Sequence, residues 1–215
     1  MKLSDICETI HGELPYIGQP CMLIRLSGCN LKCKYCDTDY SLKFEKTPIQ
    51  VSEYIKNTKL YSVLITGGEP LLQQSEVFEL VEALRTDIHI IIETNGSLPL
   101  PDIECFYPNI TWVMDFKLTG EGGAVNIGNF KVLRALDVAK FVFFDDESFD
   151  KSIDIFRSYY PECTRELYWV WSPTEEMILR KKCGGFVERI VELQKELKTN
   201  RVRFQYQIHK ILGIK

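Results

Sequence analysis

Apolar positions gather into strand-length runs rich in Val, Ile and aromatic residues: Cys21–Leu26, Ser62–Thr66, Ile88–Thr94, Thr111–Phe116, Lys140–Phe144, Leu167–Trp171 and Val202–Gln207. Such runs read as β-strands. Between several of them the apolar spacing changes to three and four. Val77, Leu80, Val81 and Leu84 keep one helical face, and so, more loosely, do Ile153, Phe156 and Tyr160. Val187, Ile190, Val191 and Leu197 predict a helix after the Cys-Gly-Gly break at 183–185. Val51–Thr58 reads as another, capped by Ser52. Strands alternating with helices imply a parallel sheet with right-handed crossovers.

Each strand run ends in a polar or glycine-rich tag: SGC, TGGEP, ETNG, DFK, FDD, WSP and QYQIHK. In barrels and open parallel sheets, ligands bind along that edge. The glycine-rich stretch 120–128 has neither GxGxxG nor GxxxxGK, so it is no phosphate cradle by motif.

Composition narrows the field. The 215 residues suit a single domain over 1–215, and 45% hydrophobic content supports a real core. A net charge of -4 leaves no broad basic footprint, so nucleic acid is not an expected partner. No run reaches the roughly 18 apolar residues of a membrane span, and the N-terminus lacks a signal-peptide core. The expectation is a cytoplasmic chain with reduced thiols and no membrane partner. Of its eight cysteines, Cys7, Cys21, Cys105, Cys163 and Cys183 are scattered and read as small buried hydrophobes.

The other three, Cys29, Cys33 and Cys36, share one loop as C-x3-C-x2-C. Zinc and ordinary iron–sulfur clusters want four protein ligands. A [4Fe–4S] cluster held by three thiolates leaves one iron for an outside molecule. A structural zinc completed by His11 or a distant cysteine is the alternative. With Tyr35 ahead of the third cysteine, the loop resembles the radical S-adenosylmethionine signature, C-x3-C-x-aromatic-C. That resemblance implies S-adenosylmethionine on the fourth iron. It also gives Thr66–Pro70 (TGGEP) a purpose: Gly68 would let backbone carbonyls approach the methionyl ammonium, and Glu69 would balance its charge.

Further stretches narrow the resemblance. ETIHGELPYIGQP and IRLSGCN precede the cysteines, CDT sits at the third, TGGEPLLQ and ETNG follow, and QIHKILGIK ends the chain. From about residue 6 onward the chain is similar to the 7-carboxy-7-deazaguanine synthase family. Position 11 is His where the family commonly has Gln, Leu14 replaces a common Gly, Asp115-Phe116-Lys117 stands for Ser-Pro-Lys or Asp-Ile-Lys, and Ser172 for Gln.

The resemblance implies the following roles. Cys29, Cys33 and Cys36 hold the cluster, and Thr38 gives Mg2+ a hard oxygen ligand. Tyr35, Gly68, Glu69, Asp115, Phe116, Lys117, Ser172 and Pro173 contact the cosubstrate. Ile10, His11, Gly12, Glu13, Arg25, Thr66, His209 and the terminal Lys215 contact the substrate, Arg25 pairing with its carboxylate. The expected fold is a partial, TIM-like α/β barrel of about six mostly parallel strands with a reduced helix set. The Asp5–Gln19 segment and the C-terminal tail would close its opening. The implied reaction converts 6-carboxy-5,6,7,8-tetrahydropterin to 7-carboxy-7-deazaguanine with loss of ammonia. Hydrogen is taken from C6 and later returned, and a low-potential donor such as flavodoxin supplies the electron. A homodimer is implied as well. A glycyl-radical activase and a non-catalytic metal-binding module are the competing readings.

Overall fold

The computed structural model describes residues 1–13, 15–33, 36–84, 86–101, 107–116, 126–159, 166–171, 184–198 and 200–213. The strands are β1 (Lys2–Ile10), β2 (Pro20–Leu26), β3 (Phe44–Glu45), β4 (Ser62–Gly67), β5 (His89–Thr94), β6 (Ile110–Phe116), β7 (Val138–Phe143), β8 (Glu166–Trp171) and β9 (Val202–Tyr206). The helices are α1 (Pro48–Thr58), α2 (Gln74–Ala83), α3 (Asn129–Val132), α4 (Asp146–Tyr159), α5 (Gly184–Leu197) and α6 (Ile208–Leu212). They build one nine-stranded sheet in the order β3-β1-β2-β4-β5-β6-β7-β8-β9. From β2 to β9 every neighbouring pair is parallel, and β1 runs antiparallel to both β2 and β3. This is the expected α/β sheet, open at its ends, and wider than six strands.

The short elements β3, α3 and α6 were not expected, and two longer ones differ from the sequence expectation. Much of the expected lid Asp5–Gln19 is β1, paired with β2 as Asp5 opposite Arg25 and Ile10 opposite Pro20. Its residues alternate poorly, and its register shifts between Leu3 and Asp5, so no period-2 signal announced it. Helix α1 starts earlier than expected, at Pro48. Thr47 and Gln50 form a reciprocal capping box, with Thr47 Oγ1 accepting from the Gln50 amide at 3.2 Å. Ser52 is buried within that helix and donates to the Ile49 carbonyl at 2.9 Å, so it is no cap.

Alternation along the parallel strands separates two layers. Met22, Ile24, Val63, Ile65, Ile90, Ile92, Trp112, Met114, Phe116, Phe141 and Trp169 join the main core with helix residues such as Leu80 and Phe156. On the other face, Cys21, Leu23, Leu64, Ile91, Val113, Val138, Val142, Tyr168 and Val170 form a second cluster, the lining of the half-barrel. At the same inward positions come Arg25, Thr66, Glu93 and Asp115, further along their strands, and Lys140, between Val138 and Val142; all five line a cavity.

Polar groups also gather near the N-terminal ends of β4, β5 and β6. His11 Nε2 lies 2.9 Å from Ser62 Oγ, and His89 Nε2 lies 2.9 Å from Thr111 Oγ1. The Tyr16 ring packs on both histidines, 5.7 Å and 4.6 Å between centroids. Burial, with nearby His89 adding to it, pushes the His11 pKa down to about 4. Burial lowers that of His89 too. The unfolded chain therefore binds protons that the folded chain refuses. This part of the stability is full above the ordinary histidine value of about 6.5 and is lost as pH falls toward 4. Urea midpoints should drop between about pH 7.5 and 5.5, and His11→Gln should flatten that slope. An unchanged slope in the variant would contradict this account.

Candidate active site

The cysteine loop leaves β2 through Gly28, whose φ of 83° is left-handed. It meets the turn that ends β4. A Cβ on Gly68 would stand 1.6 Å from the Gly28 carbonyl oxygen. Gly67, at φ 122°, would put a Cβ 2.4 Å from the Leu26 oxygen. The two loops are stitched by Gly68 N donating to Leu26 O at 3.1 Å and Glu69 N to Gly28 O at 2.9 Å. Glycine at 68 is thus demanded by the contact between loops.

Asn95, past the end of β5, braces the same loop. Its side-chain amide donates to Asn30 Oδ1 at 3.0 Å and reaches Cys29 Sγ at 3.8 Å. Cys29, Cys33 and Cys36 all line one cavity of about 690 Å³, together with Gly67, Gly68 and Asn95. No disulfide joins the described cysteines. Among the described residues no three His, Cys, Asp or Glu side chains converge as ligands of a single ion. Thiolates that each take a different corner of a cube need not converge.

The rest of the cavity is charged. Arg25 Nη1 donates to Thr38 Oγ1 at 3.1 Å, which joins β2 to the end of the cysteine loop. Thr66 Oγ1 donates to Glu93 Oε2 at 3.0 Å. Lys140 Nζ lies 2.8 Å from Glu13 Oε2 and 3.3 Å from Asp115 Oδ2. The other Glu13 oxygen accepts from Gln207 Nε2 at 2.6 Å and lies 3.9 Å from His209 Nδ1. Burial alone would raise the Glu13 carboxyl; the Lys140 ammonium, aided by His209, holds it below its usual range. Burial likewise opposes charge on Lys140, but Asp115, Glu13 and Glu93 hold its pKa well above the ordinary lysine value. The N-terminal turn and the tail dock directly: Ile208 N donates to Gly12 O at 3.1 Å, and a Cβ on Gly12 would meet the His209 ring.

The structure gathers Ile10, His11, Gly12, Glu13, Arg25, Cys29, Cys33, Cys36, Thr38, Thr66, Gly68, Asp115 and His209 around one cavity. Three of the expected contact residues have other side-chain partners in the structure. The Glu69 carboxylate does not line that cavity. It is fully buried and accepts from Leu71 N at 2.9 Å, Thr94 Oγ1 at 2.8 Å and Asn95 N at 2.8 Å, capping the turn that begins at Pro70. The Phe116 ring lies in the opposite layer, stacked on Phe130 and Phe141 at 4.3 Å and 4.9 Å, because consecutive strand residues face opposite ways. The His11 imidazole is taken up by Ser62. Leu14, Tyr35, Lys117, Ser172, Pro173, Lys215, Cys105, Cys163, Cys183 and stretch 120–125 lie outside the described residues.

Sequence reasoning missed Glu93, Asn95, Lys140 and Gln207. Lys140 carried a usable signal, a charge at an inward position of a strand otherwise apolar on both faces. Asn95 and Gln207 follow directly on strand ends, where polar residues collect.

Residues 23–105 match the family model described as the Radical SAM superfamily. The 7-carboxy-7-deazaguanine synthase of Clostridium acetobutylicum is 36% identical over 98% of this chain and 95% of its own. That of Methanospirillum hungatei is 34% identical over 100% of this chain and 86% of its own. The crystal structure of QueE from Escherichia coli has the same fold, with a TM-score of 0.65 at 19% identity, covering 95% of this chain and 93% of that one.

Proposed function

Because the chain belongs to the 7-carboxy-7-deazaguanine synthase family, a branch of the radical S-adenosylmethionine superfamily, we propose that its cavity takes S-adenosylmethionine at the cysteine rim and 6-carboxy-5,6,7,8-tetrahydropterin at the Arg25–Glu13 rim. The enzyme is a radical S-adenosylmethionine lyase using a [4Fe–4S] cluster, and it forms 7-carboxy-7-deazaguanine. The observation that carries the assignment of the two rims is their union in one cavity of about 690 Å³. That lies within the roughly 300–1,000 Å³ usual for ligand sites.

The residues fit the cluster and its cosubstrate. Three cysteines on one loop would hold the cluster, and Gly68, with no room for a Cβ, keeps the facing backbone within reach of the methionyl group. When bound, cluster and cosubstrate supply the one-electron chemistry. This chain's residues bind, orient and exclude water. Arg25 offers the bidentate guanidinium that a carboxylate matches. Glu13, held ionised, accepts from the N–H groups of the aminopyrimidinone. Gln207 Oε1 is buried without a hydrogen-bond partner among the described residues, and a ring N–H would satisfy it. The docked turn at Gly12 and tail at Ile208 roof the pterin. Substrate and product differ by one ammonia, so the ring contraction needs no net oxidant.

Mg2+ belongs beside Thr38. The 3.1 Å contact between Arg25 and Thr38 puts a carboxylate held by the first within reach of a cation held by the second. Magnesium uses few protein ligands and completes its shell with substrate oxygens and water. Turnover should therefore rise with added Mg2+, and Thr38→Ala, which removes a direct ligand, should lose at least the roughly 10–100-fold that an outer-shell change costs in metal affinity. Equal stimulation of both proteins would remove Mg2+ from Thr38. The electron comes from a low-potential donor such as flavodoxin, and the enzyme works as a cytoplasmic homodimer. Among the described residues no helix is long and apolar enough to cross a membrane.

A further inference from the structure

Lys140 of β7 stands in this cavity without a part in either ligand's expected contacts. Its inward neighbours two residues away on β7, Val138 and Val142, are apolar, as are Val113 on β6 and Val170 on β8. The position could house a Leu or Met. Instead an ammonium, 5% exposed, is held among carboxylates from three other elements. Glu13 comes from the N-terminal turn at 2.8 Å, Asp115 from β6 at 3.3 Å, and Glu93 from β5 contributes through space. A buried ion pair is weak evidence for stability, since apolar residues of equal volume often serve as well. What the pair does is orient Glu13. With one carboxylate oxygen anchored on Lys140, the other is turned to Gln207 at 2.6 Å. Gln207 itself carries a buried amide oxygen with no hydrogen-bond partner among the described residues.

We propose that Lys140 is a positioning residue of the substrate pocket: it fixes the Glu13 carboxylate, and through it Gln207, in the arrangement that meets the pterin ring, and it ties that pocket to Asp115 on the S-adenosylmethionine side. The inference rests on the pterin assignment above. The groups facing Glu13 are Lys140 from β7, Asp115 from β6, and Gln207 and His209 from the tail; Asp37 faces His209 in turn at 3.7 Å. Without the ammonium, His209 and the Gln207 amide are left to offset the burial and Asp115 that favour a protonated Glu13. Glu13 then becomes ionised at higher pH than in the wild type, so the pterin loses most of its carboxylate partner at the acidic end of the range.

The test is fluorescence titration of reconstituted enzyme, with S-adenosylmethionine present, by 6-carboxypterin, an oxidised analogue. It is run from about pH 5.5 to about 7.5 on wild type, Lys140→Met, Lys140→Arg, Glu13→Gln and the Glu13→Gln/Lys140→Met double variant. Lys140→Met should weaken binding by about tenfold or more at pH 6. The ratio to wild type should shrink as pH rises; ionisation of the ligand occurs in both proteins and largely cancels. Lys140→Arg should recover part of the affinity. In the Glu13→Gln background, Lys140→Met should change binding less than about twofold, because the interaction it served is gone. That pair also keeps the test readable if Lys140→Met alone does not fold. A ratio independent of pH, or an equal loss in the Glu13→Gln background, would overturn the positioning role while leaving the pterin assignment intact. Failure of the wild type itself to bind would instead remove the pterin assignment and the role of Lys140 with it.

Discussion

Replacing Cys33 by alanine should leave a folded protein that carries no cluster and forms no product. The cysteine loop projects beyond β2, and Cys33 is half-buried at the cavity rather than in either apolar layer. Its removal therefore costs the core little. In the proposed site its sulfur is one of three that hold the cluster, so the loss of activity should far exceed the roughly 10–100-fold of an outer-shell change. Cys21→Ala makes the contrast. Cys21 is fully buried in the inner layer, so its truncation should cost about 1 kcal/mol of stability and leave cluster loading unchanged. Iron content, absorbance after anaerobic reconstitution and urea midpoints separate the two. If Cys33→Ala loads iron like wild type, the three-thiolate assignment is wrong.

Gly68→Ala should be nearly as damaging for a different reason. The added methyl would sit 1.6 Å from the Gly28 carbonyl oxygen, which is backbone and cannot rotate away. Either the cysteine loop or the turn after β4 must move, breaking the hydrogen bonds from Gly68 N to Leu26 O and from Glu69 N to Gly28 O. Strain of this kind costs about 1–3 kcal/mol. The shift also displaces the backbone proposed to face the cosubstrate, so S-adenosylmethionine affinity should fall by about 100-fold. Gly185→Ala is the control, since a Cβ there meets nothing within 4 Å. It should be neutral or slightly stabilising. Equal affinities in the two variants would show that the loop contact does not shape the cosubstrate site.

Local pattern carried much of this architecture. Runs such as Thr111–Phe116 and Leu167–Trp171 are apolar on both faces because helices cover one side and the barrel interior the other, so they stood out without strict alternation. The edge strand β1 did not, since its exposed and half-buried positions mix and its pairing slips a register. The capping box at Thr47 and Gln50 stands in the sequence as T-x-x-Q, ahead of the apolar spacing that pointed to Ser52.

The site was legible where chemistry is packed into a short motif. Three cysteines in eight residues and a Gly-Gly turn need no partner from afar to be noticed. The Glu69 carboxylate is held by Thr94 and Asn95 across the sheet, contacts that sequence spacing does not reveal. Lys140 and Glu13 are 127 residues apart, so only the fold could pair them. Phe116 was grouped with Asp115 by adjacency, although neighbours in a strand face opposite layers.

Anaerobic turnover tests the central claim most directly. The reconstituted enzyme is given reductant, S-adenosylmethionine, Mg2+ and 6-carboxy-5,6,7,8-tetrahydropterin, and products are weighed by mass spectrometry. A species lighter than the substrate by one ammonia, formed by wild type and absent with Cys33→Ala, is the predicted result. Cleavage of S-adenosylmethionine with the pterin left intact would contradict the account, because the radical machinery would then serve a different substrate.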